Sequence, residues 1–244
     1  MLNHPTLEKL RTLKFTGMLK ALEEQIQMAE CADLSFDERL GLLIDRELTE
    51  RENRRLTTRL QKAKFRQTAA VEDIDYRHPR ALEKSLMMAL AGCAWIGEHR
   101  NCLITGPTGA GKSYLACALG QKACREGYSV LYFRLPRLFQ ELAMARGDGR
   151  YLKLLAGFAK TDLLILDDWG TSRPTEEQRR DLFEIFEDRY DRRSTLVAAQ
   201  LPIQHWHEAL GDPTLADAIL DRLIHNAHKI TLKGESMRKK RKVE

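Results

Sequence analysis

Gly106-Pro107-Thr108-Gly109-Ala110-Gly111-Lys112-Ser113 follows a short apolar run, Cys102-Leu103-Ile104, that Thr105 closes. Beyond it Tyr114, Leu115, Ala118 and Leu119 recur at helical spacing. This is G-x-x-x-x-G-K-[ST] in the setting that gives the pattern meaning: strand, glycine loop, helix. Successive backbone N–H groups of such a loop turn inward to phosphate oxygens, and the helix N-terminus adds partial positive charge. Lys112 is expected to reach the β- and γ-phosphates, and Ser113 to offer its hydroxyl to Mg²⁺. The candidate nucleotide-binding set is therefore Gly106, Pro107, Thr108, Gly109, Ala110, Gly111, Lys112, Ser113 and Tyr114. A glycine turn that merely precedes a lysine is the alternative, and a second motif weighs against it.

That motif is Leu163-Leu164-Ile165-Leu166-Asp167-Asp168. Four apolar residues, too few for a helix, end in two carboxylates and predict a buried parallel strand with acids at its C-terminal edge. In an open α/β sheet ligands sit at that edge. Asp167 is expected to hold Mg²⁺ through water, and Asp168 to orient or deprotonate the attacking water. Alone, such acids often just cap the next helix. With Lys112 they point to binding or hydrolysis of a nucleoside triphosphate with Mg²⁺.

The 244 residues leave room for one sizeable domain and a smaller one. With 43% hydrophobic and 31% charged residues and no apolar run of membrane length, the chain reads as globular, with no membrane partner. No secretory signal is expected at the opening, where His4-Pro5-Thr6 and early charges interrupt any apolar core. Five cysteines without C-x-x-C spacing read as small buried residues of a reducing cytoplasm. His205, His207, His225 and His228 lack a metal-ligand spacing.

Net charge is +5, and its placement is more informative than its size. Between Arg46 and Arg66 eight basic residues, among them Arg51, Arg54, Arg55 and Arg59, stand against three acids. A second run, Arg238-Lys239-Lys240-Arg241-Lys242, closes the chain. Two basic clusters around a nucleotide-binding core predict contact with a phosphate backbone, a solvated helix face and a loose tail being the alternative.

Residues 1–70 read as a helical domain that contacts DNA or a partner. Leu7, Leu10, Met18, Leu22 and Ile26 form one stripe; Ser35 to Glu38 is a capping box before a helix striped by Leu40, Leu43, Ile44 and Leu48. Residues 71–234 read as the nucleotide-binding core. Helices are expected around Leu82–Leu90, after Pro136, around Leu152–Phe158, after the Thr175-x-x-Gln178 capping box and near Pro213. Strands are expected at 129–133, 195–199 and 229–232. Alternation of this kind gives a parallel sheet covered by helices on both faces. Residues 235–244 read as a basic tail.

The phosphate loop, the acidic strand with Gly170, the run Ala216-Asp217-Ala218-Ile219-Leu220-Asp221-Arg222-Leu223 and Gly234-Glu235-Ser236-Met237-Arg238 together resemble IstB, the ATP-binding helper of a bacterial insertion-sequence transposition system. The resemblance spans nearly the whole chain; the last two segments make it specific. It implies an α/β AAA+ fold close to DnaC-type helicase loaders, and ATP-dependent assembly of a homo-oligomer on double-stranded DNA that is delivered to a transposase. By the same resemblance Gln200 corresponds to sensor 1 and Arg222 to an arginine finger reaching a neighbouring subunit's nucleotide. Arg238 corresponds to sensor 2 or to a DNA contact, because the sequence beyond Arg222 leaves no room for a helical lid domain. Asp168 stands where many AAA+ enzymes carry Glu, which implies slow turnover, stimulated by DNA or a partner. Residues 134–160 correspond to a DNA-lining insertion, making Arg137, Arg146, Arg150 and Lys153 candidate phosphate contacts. With no base-reading module in the sequence, little sequence specificity is expected. A replicative helicase loader, or a nucleotide-gated DNA scaffold whose turnover is incidental, are the alternative functions.

Overall fold

The structure is a computed structural model that describes residues 5–28, 31 and 33–237. It comprises two compact units, Met1–Thr58 and Arg59–Glu244. Arg238 and the basic run after it lie outside the described residues.

The first unit is helical: α1 (Pro5–Thr12), α2 (Thr16–Gln27) and most of α3 (Phe36–Ala63), within which the division falls. The Ser35 box starts α3 as expected, with Ser35 N–H donating to Glu38 at 2.8 Å and Glu38 N–H to Ser35 Oγ at 3.3 Å. The apolar stripe expected across residues 7–26 does not form the buried face. Gly17, Ala21 and Gln25, spaced four apart, are buried, while Ile26 is exposed. A Cβ on Gly17 would lie 2.6 Å from the Arg46 carbonyl oxygen, so α2 and α3 meet backbone to backbone through small residues. Glu47, itself buried, accepts from the Gly17 and Met18 amides at 2.7 and 3.1 Å and satisfies two orphan donors of α2. On α3, Ile44 and Leu48 are exposed despite their helical spacing.

After the end of α3, the second unit holds α4 (Lys84–Ala91) and α5 (Ala94–Gly97) and continues as alternating strands and helices. These are β1 (Asn101–Thr105), α6 (Lys112–Arg125), β2 (Val130–Arg134), α7 (Leu135–Gly147), α8 (Tyr151–Lys160) and β3 (Leu163–Trp169). After them come α9 (Glu176–Arg189), β4 (Ser194–Ala199), α10 (Trp206–Leu210), α11 (Pro213–Ile224) and β5 (Ala227–Thr231). The five strands form one parallel sheet in the order β2-β3-β4-β1-β5. All five β1 residues and all six of β4 are buried, which is why apolar runs, 102–104 and 196–199, fill most of each strand. Alternate strand residues serve the two faces. Leu103, Phe133, Leu164, Leu166 and Val197 join one core with α7–α11, centred on Trp169, which stands 5.3 Å from Trp206 between ring centroids. Ile165 points the other way, against α6 at Gly120.

Thr175 and Gln178 make the expected reciprocal box at the start of α9. Residues 232–237, beyond β5, run without helix or strand, and no lid domain is present among the described residues. Cys93, Cys102, Cys117 and Cys124 are buried, Cys31 is half-buried, and burial pushes the Cys102 thiol up to about 12 and the other three buried thiols to about 11. No helix among the described residues is long and apolar enough to cross a membrane.

Candidate nucleotide-binding site

The phosphate loop leaves β1 at Thr105 and enters α6 at Lys112, so it lies on the C-terminal edge of the parallel sheet. Gly106, Gly109 and Gly111 take φ of 147°, 85° and 95°, values that side chains resist. Lys112 is 8% exposed and donates from Nζ to the Gly106 and Pro107 carbonyls at 2.7 and 2.8 Å, curling the loop around its own ammonium. An incoming phosphate would compete with those carbonyls for the cation.

Asp167 and Asp168 reach the same edge from β3. Asp167, 1% exposed, accepts from the Tyr132 hydroxyl at 2.6 Å and from the Asp168 amide at 2.9 Å. Burial and the neighbouring Asp167 carboxylate push the Tyr132 phenol well above its ordinary range, so it stays a donor. The backbone turns left-handed at Asp168, φ 60°, where the β3–β4 register shifts between Leu166 and Trp169. That turn aims the Asp168 side chain at Arg134, whose Nε donates to it at 2.5 Å. No motif in the sequence points to Tyr132 or Arg134; both come from β2, and nothing local says that β2 lies beside β3.

Gln200 follows β4, the strand between β3 and β1, and its Oε1 accepts from Thr108 Oγ1 at 2.9 Å. The loop, the acids and this amide therefore share one sheet edge. Their donors suit a hard cation: Ser113 offers a hydroxyl and Asp167 a carboxylate. No cluster of three or more His, Cys, Asp or Glu forms a cage of its own among the described residues, so an ion there would take its other ligands from phosphate and water.

Arg222 lies elsewhere. Its carbonyl accepts from Asn101 Nδ2 at 3.0 Å, and Asn101 opens β1, so Arg222 sits at the edge opposite the loop. Its guanidinium pairs with Glu187, not with Asp221 or Asp217, and stacks over Phe183 and Tyr190 at 5.0 and 5.9 Å. It cannot serve the site of its own chain.

The basic residues are less free than their number implies. Arg51 pairs with Glu47 at 2.6 Å, Arg54 donates to Thr16 at 2.5 Å, and Arg59 to the Cys124 carbonyl at 2.9 Å. Arg146 grips the buried Asp181 together with Tyr151, tying α7, α8 and α9. Arg150 pairs with Asp148 at 2.5 Å. Arg55, Arg137 and Lys153 are exposed.

The family model for IstB-like ATP binding protein matches residues 8–244, nearly the full chain. The chain belongs to this family. An insertion sequence ATP-binding protein of Sinorhizobium fredii, y4pL, is 56% identical over 239 residues, 98% of each chain. Among solved structures, AMPPCP-bound DnaA from Aquifex aeolicus aligns with a TM-score of 0.59 and 19% identity, over 72% of this chain and 53% of that one. The DnaC helicase loader aligns with a TM-score of 0.55 and 19% identity, over 68% and 97%. The fold of this IstB-like chain is thus that of P-loop AAA+ proteins, and its relatives are insertion sequence ATP-binding proteins.

Proposed function

We propose that the chain is an ATPase that assembles with ATP into a homo-oligomer on double-stranded DNA and presents that DNA to the transposase of its insertion sequence. The observation that carries this reading is the split site: Lys112, Asp167, Asp168 and Gln200 stand at one sheet edge and Arg222 at the other. A guanidinium that cannot reach its own loop completes a site only on a second subunit, which ties turnover to assembly.

Lys112 would bind the β- and γ-phosphates, Gln200 would bond the γ-phosphate or the attacking water, and Asp168 would accept that water's proton. Ser113 and Asp167 would hold Mg²⁺, which when bound neutralises charge developing on the phosphates. Arg134 would fix the direction in which Asp168 points. Arg55, Arg137 and Lys153 are the exposed candidates for DNA phosphates; Arg51, Arg54, Arg59, Arg146 and Arg150 would have to leave or share their present partners. Such contacts are sequence-tolerant and weaken steeply with salt.

Electron microscopy of the protein on long duplex DNA, with and without ATP, tests the reading. ATP-dependent oligomers on DNA are expected; equal assembly without nucleotide overturns it. Asp168→Asn separates a switch from a scaffold. This variant should bind ATP and DNA, lose turnover and fail in transposition, whereas full transposition would make hydrolysis incidental.

A further inference from the structure

The glycines of the phosphate loop are covered from outside by two segments distant in sequence. A Cβ on Gly106 would lie 2.6 Å from the Leu232 carbonyl oxygen, one on Gly109 2.0 Å from Ser236 Oγ, and one on Gly111 2.4 Å from an Arg80 guanidinium nitrogen. Hydrogen bonds fasten the cover. Leu232 N–H donates to the Thr105 carbonyl at 2.7 Å, Lys233 N–H to Arg80 at 2.9 Å and Met237 N–H to Gly109 at 3.1 Å. Arg80 is 2% exposed, and its guanidinium donates to the Ala110 carbonyl at 3.1 Å, the Asp75 carbonyl at 2.9 Å and the Met237 sulfur at 3.0 Å. Its Nε finds no partner among the described residues.

A buried cation held by carbonyls and a thioether is a costly way to fill space. Apolar packing would serve a purely structural role at lower cost. What the guanidinium does provide is a rigid fork: one nitrogen, Nη1, bonds both the loop at Ala110 and the segment at Met237, while Nη2 is anchored on the Asp75 carbonyl, a three-point geometry that a flexible ammonium does not hold. It also places positive charge beside loop amides that would face phosphate, in surroundings of low dielectric.

We infer that Arg80 and the segment Ser236–Met237 are positioning residues that brace the phosphate loop in its anion-binding conformation, so that nucleotide affinity depends on the C-terminal segment being docked. This rests on the nucleotide reading above. It also gives the Gly234-Glu235-Ser236-Met237 motif a task on the nucleotide site. Linkage makes the effect reciprocal: whatever the docked segment contributes to ATP binding, ATP returns to docking.

The test is titration of the full chain with a fluorescent ATP analogue, alongside melting of the nucleotide-free protein. Arg80→Gln should weaken binding about tenfold, the scale of a lost charge-assisted hydrogen bond, with Arg80→Lys restoring only part. Met237→Pro removes the N–H donated to Gly109 together with the sulfur that accepts from Arg80, and should weaken binding several-fold in a nucleotide-free protein that still melts cooperatively. In the wild type, ATP should slow hydrogen exchange at the Met237 amide. Unchanged affinity in Met237→Pro, with Met237 exchange indifferent to ATP, overturns the brace even if Arg80→Gln fails to fold. A wild type that binds no ATP overturns the nucleotide reading itself.

Discussion

At the residue scale the site divides by how local each role is. Lys112 and Ser113 belong to a loop of consecutive residues, so their places could be named from the chain alone. Lys112→Ala should cost the protein most of its ATP affinity, on the order of a hundredfold for a lost charge-assisted contact to phosphate, measured by analogue titration. Asp167 was equally legible as a strand-end acid, but its orientation comes from Tyr132 on a different strand. Tyr132→Phe leaves a buried carboxylate short of a donor and should lower stability by about 1–3 kcal/mol in denaturant unfolding. Arg80, Tyr132 and Arg134 were missed because each meets the site through tertiary pairing rather than through a motif.

At the element scale the strands, the capping boxes and the helical character of the first residues were legible, and the faces by which the first helices pack were not. The central strands β1, β3 and β4 are buried almost throughout and so carry an apolar run, whereas β2 and β5 at the sides of the sheet are partly exposed. The α2–α3 contact is instead built on Gly17, Ala21 and a buried Glu47, residue types that a search for apolar stripes passes over. Gly17→Val should force the helices apart and destabilise the first unit by about 1–3 kcal/mol, visible as faster hydrogen exchange across residues 16–58. Glu47 also carries a pH signature. Burial pushes its carboxyl up, but bonds from Arg51, Met18 and Gly17 outweigh burial and hold it below its ordinary 4.5. A group depressed on folding stabilises above its unfolded value and loses that contribution as pH falls through the folded one. Protection of the α2 amides, taken relative to their intrinsic exchange rate at each pH, should therefore fall below about pH 4.5, and Glu47→Gln should remove that fall.

At the scale of the whole molecule the decisive relation is between the two sheet edges. Arg222→Ala should leave ATP binding by the isolated subunit intact and lower turnover of the assembled protein, a finger being worth roughly 10³-fold or more where it has been measured in other hydrolases. Mixed with Lys112→Ala, which keeps Arg222 but lacks a working loop, it should regain turnover above that of either variant alone; no gain would place Arg222 outside the site. The sequence by itself determined the α/β class, the phosphate loop, the acidic strand and the family, because each rests on short-range periodicity or contiguous spacing. Only the tertiary structure decided the contact by which Gln200 meets Thr108 of the loop, and the pairings of Tyr132 and Arg134. It also decided the cover of Arg80 and residues 232–237 over the loop, and the separation of Arg222 from its own site. Those relations join residues tens to more than a hundred positions apart, and they arise from how parallel strands cross over and pack, which no local pattern encodes.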